Sequence, residues 1–353
     1  MKILYFTKYS RNAGSSRLRS YQYFPYLEEA GFRVEVSPLF SEAYLKQLYS
    51  GQSTAREALK GYVKRFFKLF AVLSYDRVVI EKELFPYLPA FAERILSLLG
   101  LQYVVDYDDA IFHNYDQNPN IVIRKILGNK IRKVMKYAKH VIAGNQYIAD
   151  FAMISGAKNI TIIHTNPNLK KYNFIALEKR GQDECVIGWI GNQSTYDRFV
   201  KPHRNLLLRI MEETKVNLCF IGCHDDSLEG ERVRFVKWSE ESEVSSLSKL
   251  DIGIMPIPDS PFERGKCSFK LLQYMACGLP VIASPVGMNT QVVENGVNGL
   301  LASSHDEWVA AIRHLADNPL VRKEMGKRGR EYVTENFQLE KSFNKLLDVI
   351  SAE

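Results

Sequence analysis

Histidine and tryptophan are scarce in this chain, at seven and three residues of 353. Its five cysteines, Cys185, Cys219, Cys223, Cys267 and Cys277, show no ligand spacing with histidines, which argues against a zinc site. An odd number scattered through apolar segments also argues against a disulfide framework, so they read as core thiols. Cys267, beside a basic loop, is the one candidate for a reactive thiol, against a simple packing role. No apolar run is long enough to span a bilayer, and the opening MKILYFTKYS enters a strand directly rather than a signal peptide, so a cytoplasmic protein is expected. No recognition-helix, zinc or base-stacking motif accompanies the basic residues, so no nucleic-acid partner is expected. There is no low-complexity tract.

What is present suits a two-domain α/β chain. With 46% hydrophobic and 12% aromatic residues over this length, two cores can be filled. Short apolar runs at 2–7, 33–36, 77–80, 103–105 and 140–143 alternate with helical stretches, which is a parallel-sheet pattern. The pattern restarts at 186–190, 217–221, 252–255, 281–283 and 299–302. The turn-rich stretch 166–184 has no sustained period and reads as a linker between a first domain, 1–165, and a second, 185–336. Ser304 with Glu307 forms a capping box, Asn318-Pro319 starts a further helix, and 337–353 ends the chain as an amphipathic helix.

The run 262–301, FERGKCSFKLLQYMACGLPVIASPVGMNTQVVENGVNGLL, carries the most information. Ser268 is a candidate N-cap, and Phe269, Leu272, Met275 and Ala276 recur at helical spacing. Gly278 and Pro280 stop the helix, and 281–284 reads as a buried strand. Such a loop and helix start aim backbone N–H groups at one point, where Lys266 and Lys270 add charge for a phosphate.

The segment KCSFKLLQYMACGLPVIASPVG resembles the donor-site signature of retaining GT-B glycosyltransferases of family 4. The family pattern has two glutamates with seven residues between them. Here Gln273 stands at the second position and Gly265 at the first, with Glu263 two residues too early. The resemblance implies a GT-B fold, two Rossmann-like domains facing across a cleft, with the last helix crossing back to the first domain. It implies a nucleotide-diphosphate sugar as donor substrate, no metal or other cofactor, and Gln273 in the ribose-binding role. Glu263 would lie near the donor sugar. The loop GWIGNQST ends a strand and looks like a subgroup phosphate loop, with Gly191, Asn192, Ser194 and Thr195 as candidates; a plain turn capped by Ser194 is the alternative. The loop 265–268, with Gly265, Lys266, Cys267 and Ser268, completes the donor-side set. The stretch 235–241 resembles a segment that runs beside the base, with Trp238 equally suited to packing.

In the first domain, Gly14, Ser15, Ser16, Arg17 and Arg19 follow the first strand and open a helix. Small residues there leave room for a sugar and the arginines suit a phosphate, although a hydroxyl-capped helix start reads the same way. Asp106-Tyr107-Asp108-Asp109 ends a strand. By resemblance Asp108 and Asp109 replace a His-Asp pair and face the sugar or acceptor hydroxyl, so they join Glu263 and Lys270 as catalytic candidates; an Asp-x-Asp metal site is the second reading. Glu83, His113 and Asn145 are further acceptor-side candidates, Glu83 and Asn145 because they follow strand ends, with Lys82 and Gln146 behind them.

The stretches 56–68 and 124–139 interleave Lys and Arg with apolar residues. They read either as helices for an anionic membrane surface, placing the protein on the inner face of the plasma membrane, or as helices packing their apolar side on the sheet. The reading that results is a retaining glycosyltransferase with a saccharide or lipid-linked acceptor, acting in surface polysaccharide or lipopolysaccharide synthesis. A degenerate nucleotide-sugar-binding subunit and a sugar-nucleotide epimerase are the alternatives.

Overall fold

The structure is a computed structural model that describes residues 1–172, 185–228 and 230–352. The described residues form two compact units. One comprises 1–165, 264–267 and 340–353, and the other 166–263 and 268–339. Of the expected linker, residues 173–184 lie outside the described residues, and Asn166 to Tyr172 belong to the second unit.

The first unit is a six-stranded sheet of β1 (Lys2–Phe6), β2 (Arg33–Val36), β3 (Arg77–Glu81), β4 (Tyr103–Tyr107), β5 (His140–Ala143) and β6 (Ile160–Ile162), in the order β2-β1-β3-β4-β5-β6. Every pairing is parallel. Its central strands are continuous apolar runs because helices cover both faces. β6 was not expected from sequence; its three residues are all half-buried, as suits an edge. The C-terminal helix Leu339–Ser351 contributes all but its first residue to this unit. Arg77 Nε donates to the Ile350 carbonyl at 2.9 Å, and the Tyr26 and Phe343 rings lie 5.4 Å apart.

The second unit is a parallel sheet of β7 (Cys185–Ile190), β8 (Val216–Ile221), β9 (Val233–Val236), β10 (Ile252–Met255), β11 (Val281–Ala283) and β12 (Gly299–Leu301), ordered β12-β11-β10-β7-β8-β9. β9 is the strand missed here. Numbered from β7, the order is 3-2-1-4-5-6, that of a dinucleotide-binding sheet. The helix Phe269–Ala276 stops as expected, with Gly278 at φ +74° and Pro280 beyond it. Ser304 and Glu307 form the expected capping box.

The basic stretches depart from both simple readings. Residues 124–139 are not one helix but two, Ile121–Leu127 and Lys130–Tyr137, broken at Gly128, where a Cβ would lie 2.4 Å from the Arg124 carbonyl oxygen. The helix Ala55–Leu69 does not turn its apolar side inward. It buries Arg65, which donates to the Thr7, Ser37 and Leu84 carbonyls and whose pKa burial pushes down to about 9. Outward it presents Leu59, Val63, Phe66 and Phe67, continued by Phe70 and Leu73, with Phe67 66% and Phe70 72% exposed.

Candidate active site

In open parallel sheets ligands bind at the carboxyl ends of the strands where the strand order reverses. In the second unit that point lies between β7 and β10. The loop after β7 starts at Gly191, where a Cβ would sit 2.3 Å from the Trp189 ring, so only glycine fits. Asn192, not Ser194, caps the following helix Gln193–Phe199: its Oδ1 accepts from the Thr195 N–H at 3.0 Å and the Ser194 hydroxyl at 3.1 Å. The Thr195 hydroxyl donates to the Asn192 carbonyl at 2.9 Å, so the loop is ordered by its own side chains.

The stretch after β10 corrects two expectations. Ser268 stands at the N-cap position, but its side chain makes no capping hydrogen bond. It adopts a left-handed backbone at φ +50° and donates its hydroxyl to Asn289 Oδ1 at 2.7 Å, while Asn289 Nδ2 donates to the Ser284 carbonyl. A buried brace thus ties the turn to the end of β11, and it holds a backbone that costs about 1–3 kcal/mol in a non-glycine residue. Glu263, on the short helix Pro261–Arg264, is enclosed rather than open to a sugar. It accepts from Ser260 Oγ and pairs with Arg198 at 2.6 Å. Lys270 holds its ammonium 5.3 Å from the Trp189 ring centroid, a cation–π distance. Gln273 is buried and donates Nε2 to the Tyr172 hydroxyl at 2.9 Å. Trp238 is half-buried and donates its indole N–H to Glu243.

In the first unit the strand order reverses at β1 and β3. Lys82 directly follows β3, buried and left-handed at φ +68°. Its ammonium lies 2.8 Å from Asp108 Oδ1 and 3.7 Å from Asp109. Ser15 donates to Asp108 Oδ2 at 2.6 Å, and Ser16 donates to Glu81 at 2.9 Å. Burial alone would raise the Asp108 carboxyl, but the Lys82 charge and the hydrogen bonds from Lys82 and Ser15 outweigh it and hold it well below the usual carboxylate range. Burial would lower Lys82, yet Asp108 and Asp109 push it well up. Asp108 is therefore a fixed anion and hydrogen-bond acceptor, and too weak a base to pull a proton off a hydroxyl efficiently. Asp109 is the more exposed of the two and lies 3.8 Å from Lys266. Lys82 is the residue that sequence reasoning underweighted, and its position between two glutamates at a strand end was the available signal.

Several acceptor-side candidates are consumed by the fold. Arg19 is buried in a two-pronged pair with Asp106 and donates to the Ile163 carbonyl at 2.6 Å, so it is not free for a phosphate. Arg17 is buried and partnered, and Gly14 is exposed with open space around it. The helix they share, Gly14–Arg19, has Ala13 at its N-cap and no hydroxyl cap. Glu83 is buried between Lys130 and the Tyr115 hydroxyl. His113 engages Asp116 through Nδ1 at 2.8 Å and Tyr147 through Nε2 at 2.9 Å, away from Asp108. Asn145 caps the helix Gln146–Ile154 and donates to the Gly265 and Lys266 carbonyls at 2.8 and 3.2 Å. It anchors the 264–267 segment to this unit rather than facing a sugar. A Cβ on Gly265 would lie 2.3 Å from Ala110 Cβ, so no side chain fits where the family pattern has its first carboxylate. Cys267 is buried, donates to the Asp108 carbonyl at 2.8 Å and has its thiol pushed up to about 12 by burial, which removes the reactive-thiol reading. Among the described residues no group of three or more His, Cys, Asp or Glu is placed to hold a metal ion, and no helix is long and apolar enough to cross a membrane.

Residues 184–318, which span the loops after β7 and β10, match the family model of glycosyl transferases group 1. An uncharacterized glycosyltransferase of Methanocaldococcus jannaschii is 26% identical over 59% of this chain and 57% of its own length. The putative teichuronic acid biosynthesis glycosyltransferase TuaH of Bacillus subtilis is 22% identical over 53% and 51%. The chain thus spans little more than half the length of these curated relatives. The whole chain superposes on all of Anabaena HepE, solved in complex with UDP-glucose, with a TM-score of 0.68 at 16% identity. The fold is GT-B: two parallel six-stranded α/β units.

Proposed function

We propose that this protein is a glycosyltransferase that moves a sugar from a nucleoside-diphosphate sugar to a saccharide or lipid-linked acceptor in the synthesis of a cell-surface polysaccharide. The carrying observation is the agreement of site and family: the reversal point of a dinucleotide-order sheet falls within the segment matched by group 1 glycosyl transferases. HepE, of the same fold, binds UDP-glucose, and TuaH, a relative, is named for teichuronic acid synthesis.

In this reading the loop at Gly191 to Thr195 and Lys270 stabilise the departing diphosphate in place of a metal. Gln273 meets the ribose, and Asp108 and Asp109 face the sugar or the acceptor hydroxyl. Transfer proceeds with retention, the acceptor attacking from the leaving-group face while a phosphate oxygen takes its proton. The enclosed Glu263 is not assigned a part in the reaction.

The outward face of the helix Ala55–Leu69 supports a peripheral membrane location. Arg56, Lys60 and Lys64 accompany its exposed leucine, valine and phenylalanines, a composition that suits an anionic lipid interface.

The test of the donor site is a thermal-shift panel of UDP, GDP, ADP and CMP, with Lys270→Ala as control. A shift selective for one nucleotide and lost in the variant is expected. No shift with any nucleotide sinks the assignment, and binding without turnover on any sugar would mark a degenerate binding subunit.

A further inference from the structure

The family carboxylate is missing at position 273, yet a buried carboxylate is linked to that position through one intervening side chain. Gln273 Nε2 lies 2.9 Å from the Tyr172 hydroxyl, and that hydroxyl lies 2.5 Å from Glu243 Oε1. Glu243 is buried and takes two more donors: Lys171 Nζ on Oε1 at 3.0 Å and the Trp238 indole N–H on Oε2 at 2.9 Å. Three donors thereby fix its place.

Proton counting then settles which way the Gln273 amide points. A carboxylate only accepts, and a tyrosine hydroxyl has one proton, so Tyr172 gives that proton to Glu243. Burial, and then the Glu243 charge, push the Tyr172 pKa well above its ordinary value, so the proton stays on the phenol. Toward Gln273 the Tyr172 oxygen can only accept. The NH2 end of the amide must therefore face it, which leaves Oε1 on the other side as a pure acceptor. That oxygen has no hydrogen-bond partner among the described residues.

We propose that Glu243, Tyr172 and Trp238 are positioning residues that pin the Gln273 amide so that its oxygen accepts a hydrogen bond from a ribose hydroxyl of the donor nucleotide. This rests on the donor-site reading above and adds how a neutral amide takes the place of a carboxylate. A freely rotating amide presents oxygen or nitrogen at will; the pinned one presents oxygen only, without the ordering cost at binding. The charge that the family pattern carries at this position is retained on Glu243.

The experiment is calorimetric titration of the full chain with UDP and with 2′,3′-dideoxy-UDP. The wild-type chain is expected to prefer UDP by about tenfold, the worth of one well-placed hydrogen bond. Tyr172→Phe should erase most of that preference while the dideoxy compound binds nearly as before. A purely structural role for Tyr172 would weaken both ligands alike, and the ratio also cancels any loss of folded fraction. Glu243→Gln keeps the volume but frees the Tyr172 proton to turn toward Gln273; the same loss is expected and serves if Tyr172→Phe does not fold. In a Gln273→Leu background, Tyr172→Phe should change the preference no further. An unchanged preference in both Tyr172→Phe and Glu243→Gln overturns the relay while leaving the donor site standing. Failure of UDP to bind the wild-type chain overturns both.

Discussion

The two sheet-reversal points of this molecule are built from opposite materials. In the first unit, charged side chains crowd the strand ends and neutralise one another: Arg19 with Asp106, Lys82 with Asp108, Glu83 with Lys130. In the second, one buried carboxylate, Glu263, is paired with Arg198, and the rest is backbone turns, a self-capping asparagine and a lysine over an indole ring. A buried charge must be paired to be tolerated, so a cluster of ionisable residues at a strand end is first a demand of the fold. A turn of glycine and amide residues buries no charge that must be paired. Charge in the first unit should therefore govern stability, and charge in the second should govern binding.

The sharpest way to break this contrast is to remove one member of a buried pair. Arg19→Ala strands the buried Asp106 carboxylate, and a loss of about 3–5 kcal/mol in urea denaturation is expected. Lys270→Ala should leave that denaturation midpoint nearly untouched while abolishing the nucleotide-induced thermal shift; a stability loss as large as that of Arg19→Ala would erase the distinction.

The Lys82–Asp108 pair sharpens it through pH. Because the folded-state pKa of Asp108 is depressed, its contribution is present above the unfolded value near 3.9 and is lost as pH falls through the lower folded value. Asp108→Asn should thus be less stable than wild type at neutral pH, with the gap closing below about pH 4. A gap that does not depend on pH would show that the ion pair is not the cause. The smallest effect on stability, within about 0.5 kcal/mol, is expected for Phe67→Ser with Phe70→Ser, since both rings are mostly in solvent. The same double variant should lose co-sedimentation with anionic liposomes at low salt. Indifference of the wild-type chain to such liposomes would remove the membrane assignment.

Much of the fold was legible in residues alone. Ten strands were legible: the eight central ones are buried on both faces and read as apolar runs, and the edge strands β2 and β12 show as short runs framed by turn residues. β6 and β9 were missed: both are edge strands with partly exposed residues, Arg234 among them, and such a short half-polar run looks like a loop unless turn residues frame it, as Gly31 and Pro38 frame β2. In the site, the glycine at 191 and the helix stop at 278 were readable, because close approach and positive φ both demand glycine. The fates of Arg19, Glu83, His113 and Asn145 were not readable. Each is the right residue type for a sugar or phosphate, and each is spent on a partner tens of residues away or on a neighbouring turn.

The amino-acid sequence by itself determined the period of the strands, the turns that end the helices and the donor-site resemblance, because these depend on neighbours within a few residues. Only the tertiary structure decided which polar groups remain to meet a ligand and which way the Gln273 amide points. It also decided which face of the helix Ala55–Leu69 meets solvent. Hydrogen bonding and burial are settled between residues far apart in the chain, and a proton that Tyr172 gives to Glu243 cannot be counted until the fold brings the two together.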